Sequence, residues 1–330
     1  MTPFDVLDAT EVSGLAPLEA VRAIEAALRA GLDPADTPAR RSVGAGAGEL
    51  LLMPATTGDG LGVKLVTVAP GNPARGLPRI HGVYVLFDPE TLAPTAVLEA
   101  AALTTVRTPA VSLAAVRSRI PDRRPLKVVV FGAGPQAVGH LRTLHAVLED
   151  VPDAQTGAVP DGTPSIEATV VVRNPARARL DPLERTVSRL VGATTPAVTR
   201  ALADADMVVC ATTSKQQLFP AEAVGDKVVV IAVGAHEPSA LEVPPELAAR
   251  AAVVVEDPAT ARREAGVVRA AIAGGLTAPD GLLSLRDVVC GAAPLPTDRP
   301  VLFVSVGMAW EDLVVARAVH RAHRGLRTAE

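Results

Sequence analysis

The segment that decides the fold is residues 127–137, which read KVVVFGAGPQA. Residues 128–131 are apolar throughout, which is typical of a strand in a parallel sheet covered by helices on both faces. The turn that follows has the pattern G-x-G-x-x-A. Gly132 permits a tight turn, Gly134 lacks the Cβ that would collide with a pyrophosphate, and Ala137 lets the next helix pack closely on the strand. This context predicts a site for the phosphates of a dinucleotide at the positive end of a helix.

Two alternatives to a dinucleotide site apply to this turn. The first is an ordinary Gly-rich connection between a strand and a helix, which the sequence of the turn alone does not exclude. A P-loop is the second, and it is excluded because His140 follows Gly139 where that mechanism needs a lysine.

The rest of the second half alternates strands and helices. A helix is predicted over 136–149, and further strands over 168–172, 207–211, 228–233, 252–255 and 301–305. Residues 151–165 are rich in Pro, Gly and Asp and predict a long surface loop. This alternation predicts an α/β fold with a Rossmann-like, doubly wound parallel sheet.

The first half has a different texture. Short apolar runs predict strands over 50–53, 62–68, 82–87 and 96–98 without helices between them, and hence a largely antiparallel or mixed sheet. Helices are predicted over 17–30 and from about 100 to 119, and a final helix over 310–321. We predict one domain from residues 1–120 together with 306–330, and a dinucleotide-binding domain from 121–305.

Composition excludes several classes of protein. The net charge of −4 and the 2% aromatic content argue against nucleic-acid binding. Two cysteines, Cys210 and Cys290, cannot form a disulfide framework or a Cys-rich zinc site, and no metal is expected. No secretory signal or membrane-length apolar run is visible, so we predict a cytoplasmic protein that does not bind membranes.

The end of the second predicted parallel strand bears on the choice between NAD and NADP. An acid there would bind the ribose hydroxyl of NAD, whereas cations suit the 2′-phosphate of NADP. The sequence has Arg173, Asn174 and Arg177 and no acid, so NADPH is predicted, with NADH possible. Alternatively, both arginines are solvated loop residues with no part in cofactor binding.

Small residues follow the third and fourth predicted strands. The carboxyl ends of these strands face the cofactor crevice in a doubly wound sheet. We therefore predict cofactor contacts from Thr212, Thr213, Ser214, Val233 and Gly234. Thr213 and Ser214 are equally good candidates for helix N-caps.

Three separated cations in the first half suit a substrate that bears a carboxylate. Arginine binds a carboxylate through two parallel hydrogen bonds, and Arg40 and Arg107 are both available for this. Lys64 lies inside an apolar strand, where a position on a solvent-facing surface is the simpler interpretation.

Segments spread over about residues 38–315 resemble the ornithine cyclodeaminase/mu-crystallin family. The matching segments are 52–55 (LMPA), 62–66 (GVKLV), 70–73 (PGNP), 76–78 (GLP), 103–109 (LTTVRTP), 132–137 (GAGPQA), 305–307 (SVG) and 311–312 (ED). The resemblance implies a homodimer, with a Rossmann domain and a dimerisation/substrate domain in each subunit.

The resemblance also implies roles for residues. Arg40, Lys64 and Arg107 would hold the α-carboxylate of the substrate, with Lys64 also near the reacting nitrogen. The dinucleotide would lie on Gly132, Ala133, Gly134, Pro135 and Gln136. Ser305, Val306 and Gly307 would form a wall beside the nicotinamide.

The chain departs from ornithine cyclodeaminases at two positions. His236 stands where those enzymes have an aspartate, and Arg173 stands where they have an acid. A histidine can relay a proton but cannot supply a fixed anion. We therefore predict an NAD(P)H-dependent reductase of an imine or cyclic ketimine of an α-amino acid, of the delta-1-pyrroline-2-carboxylate type, with Lys64 or His236 supplying the proton. The alternatives are an ornithine cyclodeaminase and a non-catalytic, NADPH-dependent small-ligand binder like mu-crystallin.

Overall fold

The chain forms two compact units in the computed structural model. Residues 4–121, 125–150, 166–178, 187–234 and 238–327 are described. The predicted loop over 151–165 and the predicted catalytic His236 lie outside these ranges. One unit runs up to Val111 and resumes at Met308, and the other spans Ser112–Gly307. We predicted domain boundaries after residues 120 and 305. The observed junctions differ from these because the first falls inside a long helix and the second lies beyond the last strand.

The first unit is built on a six-stranded sheet. Its strands are β1 (Asp5–Leu7), β2 (Arg41–Gly44), β3 (Glu49–Thr57), β4 (Gly60–Val68), β5 (Ile80–Phe87) and β6 (Pro94–Glu99). They lie in the order β1-β6-β5-β4-β3-β2, with β1 parallel to β6 and the other pairs antiparallel. The sheet is therefore mixed, in agreement with the prediction.

Four helices accompany this sheet. They are α1 (Ala9–Ser13), α2 (Pro17–Arg29), α3 (Ala100–Val116), which continues into the second unit, and α9 (Ala309–Arg327). Helix α9 packs against β3, β4 and β5, and also against α2. In β4, Gly60, Gly62, Lys64 and Val66 are buried, and the residues between them are only partly buried. This alternation shows that one face of the sheet lies beneath helices.

The second unit is built on an eight-stranded sheet in which every pair is parallel. Its strands are β7 (Leu126–Phe131), β8 (Ile166–Val172), β9 (Val187–Gly192), β10 (Met207–Cys210), β11 (Val229–Ala232), β12 (Ala252–Val255), β13 (Leu283–Ser284) and β14 (Val301–Val304). They lie in the order β13-β12-β14-β11-β10-β7-β8-β9. The helices are α4 (Pro135–Asp150), α5 (Pro196–Ala203), α6 (Pro258–Glu264), α7 (Gly266–Ala273) and α8 (Leu285–Val289).

Every residue of β10, β11, β12 and β14 is buried, as expected for central strands covered on both faces. The strand order reverses at β7: β8 and β9 lie on one side of it, and β10 and the later strands lie on the other. The predicted doubly wound parallel sheet is confirmed. No helix in the described ranges is both long and apolar enough to cross a membrane.

Four strands were not predicted: β1, β2, β9 and β13. Two of them contain only three and two residues, too few to show a periodic pattern. The residues of β2 are all exposed, and β9 is half-buried at most, so neither has the apolar run of a core strand.

Candidate active site

The lysine of strand β4 is buried in the first unit. Lys64 is only 3% exposed, and its Nζ lies 2.7 Å from Oδ2 of Asp312, which is fully buried in the first turn of α9. The interpretation of Lys64 as a residue on a solvent-facing surface is therefore wrong. A buried ammonium is stable here because a carboxylate accompanies it.

Helix α3 brings an arginine to the same place. Arg107 Nη1 lies 2.6 Å from Glu311 Oε2, and its Nε lies 3.2 Å from Asp312 Oδ1. The other oxygen of Glu311 accepts a hydrogen bond from the backbone N–H of Met308 at 2.9 Å. Two cations from distant parts of the chain thus meet on two adjacent carboxylates. We call Lys64, Arg107, Glu311 and Asp312 the charged cluster.

Burial changes the ionisation of the lysine. It lowers the pKa of Lys64 from 10.5 to about 8, with the charge of Arg107 acting in the same direction and Asp312 opposing it. An amine with a pKa of about 8 holds its proton at neutral pH and can still release it. This is the property required of a general acid near pH 7.

Strand register distinguishes the predicted Arg40 from its neighbour Arg41. Arg41 pairs with Leu52, and Met53 pairs with Lys64. Continuing the register by one residue places Arg40 beside Met53, in the same row across the sheet as Lys64. Alternation then places Arg40 on the face of Lys64 and Arg41 on the other face.

The Gly-rich turn has the geometry of a phosphate site. Gly132 has a φ of +104°, and a Cβ there would lie 2.5 Å from the carbonyl oxygen of Ala211, so only glycine fits. Gly134 is exposed, and a Cβ there would meet no atom within 4 Å. Helix α4 begins at Pro135, and Ala137 is fully buried against the sheet. The open space at the start of the helix fits a pyrophosphate. Ala133 and Gln136, which complete the predicted set, are partly buried beside it.

A buried glutamate joins the carboxyl ends of β10 and β11. Glu242 Oε1 accepts hydrogen bonds from Thr212 N at 2.8 Å and Thr212 Oγ1 at 2.6 Å, and Oε2 accepts one from Gly234 N at 2.8 Å. Burial raises the pKa of Glu242, and these donors oppose the rise. Thr212 and Gly234 therefore lie at the carboxyl edge of the sheet, as predicted. Their two N–H groups and the Thr212 hydroxyl donate to Glu242, so this hydroxyl is not free to donate to a ribose.

The neighbouring predicted residues lie in the same connections. Thr213 is exposed, Ser214 is partly buried, and Val233 directly follows β11. No helix begins at Thr213 or Ser214 in this described stretch, so the N-cap alternative is wrong. The Ser214 hydroxyl donates instead to the carbonyl oxygen of Gln216 at 2.8 Å.

A second buried glutamate holds the end of β14. Glu256 Oε1 accepts hydrogen bonds from Ser305 Oγ at 2.6 Å, Val306 N at 3.1 Å and Gly307 N at 3.0 Å. All four residues are buried. The segment predicted to form a wall beside the nicotinamide is thus held rigidly from the end of β12.

The candidate residues for the 2′-phosphate lie just beyond β8. Arg173 is exposed, and the Asn174 side chain accepts a hydrogen bond from Ala176 N at 3.1 Å, which caps a short turn. The backbone of Arg177 ends that turn. Asn174 therefore has a structural role in the turn, and Arg173 is a cation at the end of this strand. The side chain of Arg177, the other predicted cation, lies outside the part of the chain that is described.

Sequence reasoning assigned no role to the buried acids Glu242, Glu256, Glu311 and Asp312. Each follows or interrupts an apolar run, as in VVVE before residue 257 and AWEDLVV after residue 308. Because acids are almost never fully buried without a partner, an acid at such a place was the available signal. Tyr84, which pairs in register with Lys64, was also missed.

The fold, the Gly-rich turn and the charged cluster define a dinucleotide-binding α/β protein with a separate unit that carries the buried charged cluster. The chain belongs to the ornithine cyclodeaminase/mu-crystallin family, whose sequence model matches residues 5–325. The predicted family is confirmed.

Individual relatives agree with this assignment. The chain is 32% identical over 278 residues to Delta(1)-pyrroline-2-carboxylate reductase 2 of Burkholderia ambifaria, covering 84% of this chain and 81% of that protein. It is 30% identical over 326 residues to the Delta(1)-pyrroline-2-carboxylate/Delta(1)-piperideine-2-carboxylate reductase of Azospirillum brasilense, covering 98% and 97%. Among solved structures, an archaeal alanine dehydrogenase dimer with bound NAD has a TM-score of 0.80 and 26% identity, covering 98% of this chain and 97% of that one.

Proposed function

We propose that the protein is an NADPH-dependent reductase of cyclic imino acids of the delta-1-pyrroline-2-carboxylate type. The observation that carries this proposal is the charged cluster, in which a buried lysine with a pKa of about 8 lies beside a buried arginine. The predicted class, an oxidoreductase that acts on a C=N bond, is confirmed by the names of the curated relatives.

The residues of the first unit have separate tasks in this reaction. Arg40 and Arg107 hold the carboxylate of the imino acid and so fix its orientation, which can contribute up to about 7–11 kcal/mol toward the barrier. Lys64 gives its proton to the imine nitrogen, which makes the imine carbon electron-poor. Asp312 keeps the lysine charged until that step. A bound nicotinamide supplies the hydride that this carbon accepts.

In the second unit, Gly132 and Gly134 would leave room for the pyrophosphate of the cofactor, and Glu242 and Glu256 fix the strand ends beside which the rest of the cofactor would bind. A nicotinamide dinucleotide fits this set of residues. Arg173 supports NADPH over NADH, because an exposed arginine at the end of β8 can bind the 2′-phosphate of NADPH. No acid stands at this position, where one would bind the ribose hydroxyl of NADH.

Replacing Arg173 tests the choice of cofactor. Arg173→Glu should raise the KM for NADPH by about 10- to 100-fold, the value of one charge-assisted hydrogen bond, and leave the KM for NADH nearly unchanged. Arg189→Glu, the same change at another exposed position of this sheet, is the matched control. An equal effect of both substitutions on NADPH would remove Arg173 from the cofactor site.

The pH dependence of reduction follows from the lysine. Lys64 is protonated below about pH 8 and loses its proton above it, so the rate should fall as the pH rises through about 8. Asp312→Asn removes the carboxylate that raises the pKa of Lys64, so the fall should move to lower pH. Profiles of kcat for both proteins measure this shift, and an unmoved profile would show that another group donates the proton.

A homodimer is part of the proposal. The sheet face opposite Lys64 carries apolar side chains that remain exposed: Val6 (70%), Val43 (52%) and Val83 (40%). A second copy could cover this apolar face, and the similar archaeal alanine dehydrogenase is a dimer. Light scattering should give a mass near twice 33.9 kDa, and a monomer at micromolar concentration would overturn the dimer.

The activity is tested with a panel of cyclic and open-chain imino acids, followed by nicotinamide absorbance with NADPH and NADH side by side. Consumption of NADPH with delta-1-pyrroline-2-carboxylate is the expected result. Formation of proline from ornithine with catalytic NAD and no net nucleotide consumption would identify a cyclodeaminase instead. NADPH binding without turnover of any imino acid would identify a small-ligand binder.

A further inference from the structure

Tyr84, the single tyrosine of the chain, lies next to the charged cluster with its hydroxyl unused. It pairs with Lys64 in the register of β4 and β5 and is 0% exposed. Its hydroxyl has no hydrogen-bond partner among the described residues. Burial raises the pKa of Tyr84, and the nearby charge of Asp312 raises it further. Because a buried hydroxyl is costly when unpaired, a phenylalanine would be the better core residue unless the hydroxyl has a task.

Two glycines of β4 make room for a line of polar groups on the buried face. A Cβ at Gly62 would overlap the Tyr84 hydroxyl, so a glycine is required for the tyrosine to fit. A Cβ at Gly60 would lie 2.7 Å from Cδ of Arg317 of α9. The buried positions 60, 62 and 64 of this strand are about 6–7 Å apart along the backbone. The Arg317 side chain lies over the first, the Tyr84 hydroxyl over the second, and Lys64 occupies the third.

The far end of this line reaches solvent. Arg317 pairs with Asp59 in the turn before β4. Both residues line an open cavity of about 750 Å³, together with residues of α2 and Val314 of α9. A cavity of this size and polarity holds water.

We propose that the Tyr84 hydroxyl, with water molecules on either side, passes protons from the Arg317 cavity to the Asp312–Lys64 pair. The inference rests on the proposed function, in which each turnover removes one proton from Lys64. When the imine nitrogen takes that proton, the Tyr84 O–H proton moves through water toward Lys64, and water from the cavity returns a proton to the Tyr84 oxygen. No charge or atom is lost, and the net proton comes from solvent.

The kinetic test separates the first turnover from the later ones. Lys64 is charged before the first turnover, so Tyr84→Phe should leave the single-turnover rate within about twofold and lower the steady-state rate by about tenfold. Product should then form in a burst of one equivalent per subunit. Leu86→Met is the matched control, because Leu86 is buried two residues along the same face and carries no polar group. A core defect alone would slow both phases equally.

A spectroscopic readout tests the same connection without turnover. With one tyrosine in the chain, a 13Cζ label gives a single signal from Tyr84. If water reaches the Tyr84 hydroxyl, transfer of the protein from H2O into D2O should exchange its O–H proton rapidly and move that signal by the deuterium isotope effect. A signal that keeps its H2O position for hours would show that the hydroxyl is sealed from water.

The outcomes separate the two proposals. If the wild-type protein reduces no imino acid, the proposed function fails, and the relay fails with it. If wild-type turnover is normal but Tyr84→Phe shows no burst, or the labelled Tyr84 hydroxyl does not exchange with solvent, the relay alone is wrong.

Discussion

Replacing Lys64 with methionine should lower kcat/KM for the imino acid by about 10²- to 10⁴-fold, the usual contribution of a general acid. Methionine keeps much of the length of the lysine stem and removes the ammonium. NADPH binding should remain nearly intact, because Lys64 belongs to the first unit and the Gly-rich turn to the second. Steady-state kinetics and a fluorescence titration with NADPH measure the two quantities separately.

The substitution also leaves Asp312 without its lysine, and a buried carboxylate that loses a partner can cost about 3–5 kcal/mol of stability. The double variant Lys64→Met/Asp312→Asn controls for this, since it removes both charges of the pair. We expect it to recover much of the thermal stability and none of the activity. Unchanged turnover in the single variant would remove Lys64 from the mechanism.

The Gly-rich turn could be predicted from sequence because its constraints are local. A positive φ at Gly132, open space at Gly134 and close packing at Ala137 all arise within one strand–turn–helix segment. The central strands were predictable for a similar reason, since burial on both faces leaves an uninterrupted apolar run.

The environment of Lys64 could not be predicted in the same way. Both faces of β4 carry apolar residues, Val63 and Leu65 on one and Val66 on the other, so the pattern alone does not show which face is buried. The answer comes from α9, which starts at Ala309 and is distant in sequence. Only the fold places Asp312 beside the lysine.

The roles of Glu242 and Glu256 were hidden because an acid in a connection after a strand, or directly at its end, normally suggests a solvated loop. In the structure each accepts several N–H and O–H donors from a neighbouring strand end. These partners come from other segments of the chain, so their hydrogen bonds exist only after the parallel sheet has assembled.

Arg107→Lys should raise the KM for the imino acid by about 10- to 100-fold, although the charge is kept. Arginine contacts both Glu311 and Asp312 through two different nitrogens, at 2.6 and 3.2 Å. A lysine is a point charge on a flexible stem and cannot reproduce this fork or bind a substrate carboxylate through two parallel bonds. The loss corresponds to one charge-assisted hydrogen bond, worth about 1.5–3 kcal/mol.

Arg117→Lys is the matched control for this change. Arg117 also forms an arginine–carboxylate pair, at 2.6 Å from Asp150, but both residues belong to the second unit, whereas the charged cluster belongs to the first. We expect it to leave the KM for the imino acid unchanged. If Arg107→Lys lowers the melting temperature and leaves that KM unchanged, Arg107 braces α9 and does not bind substrate. The carboxylate would then have to be held by Arg40 and Lys64, and Arg40→Lys should show the rise in KM instead.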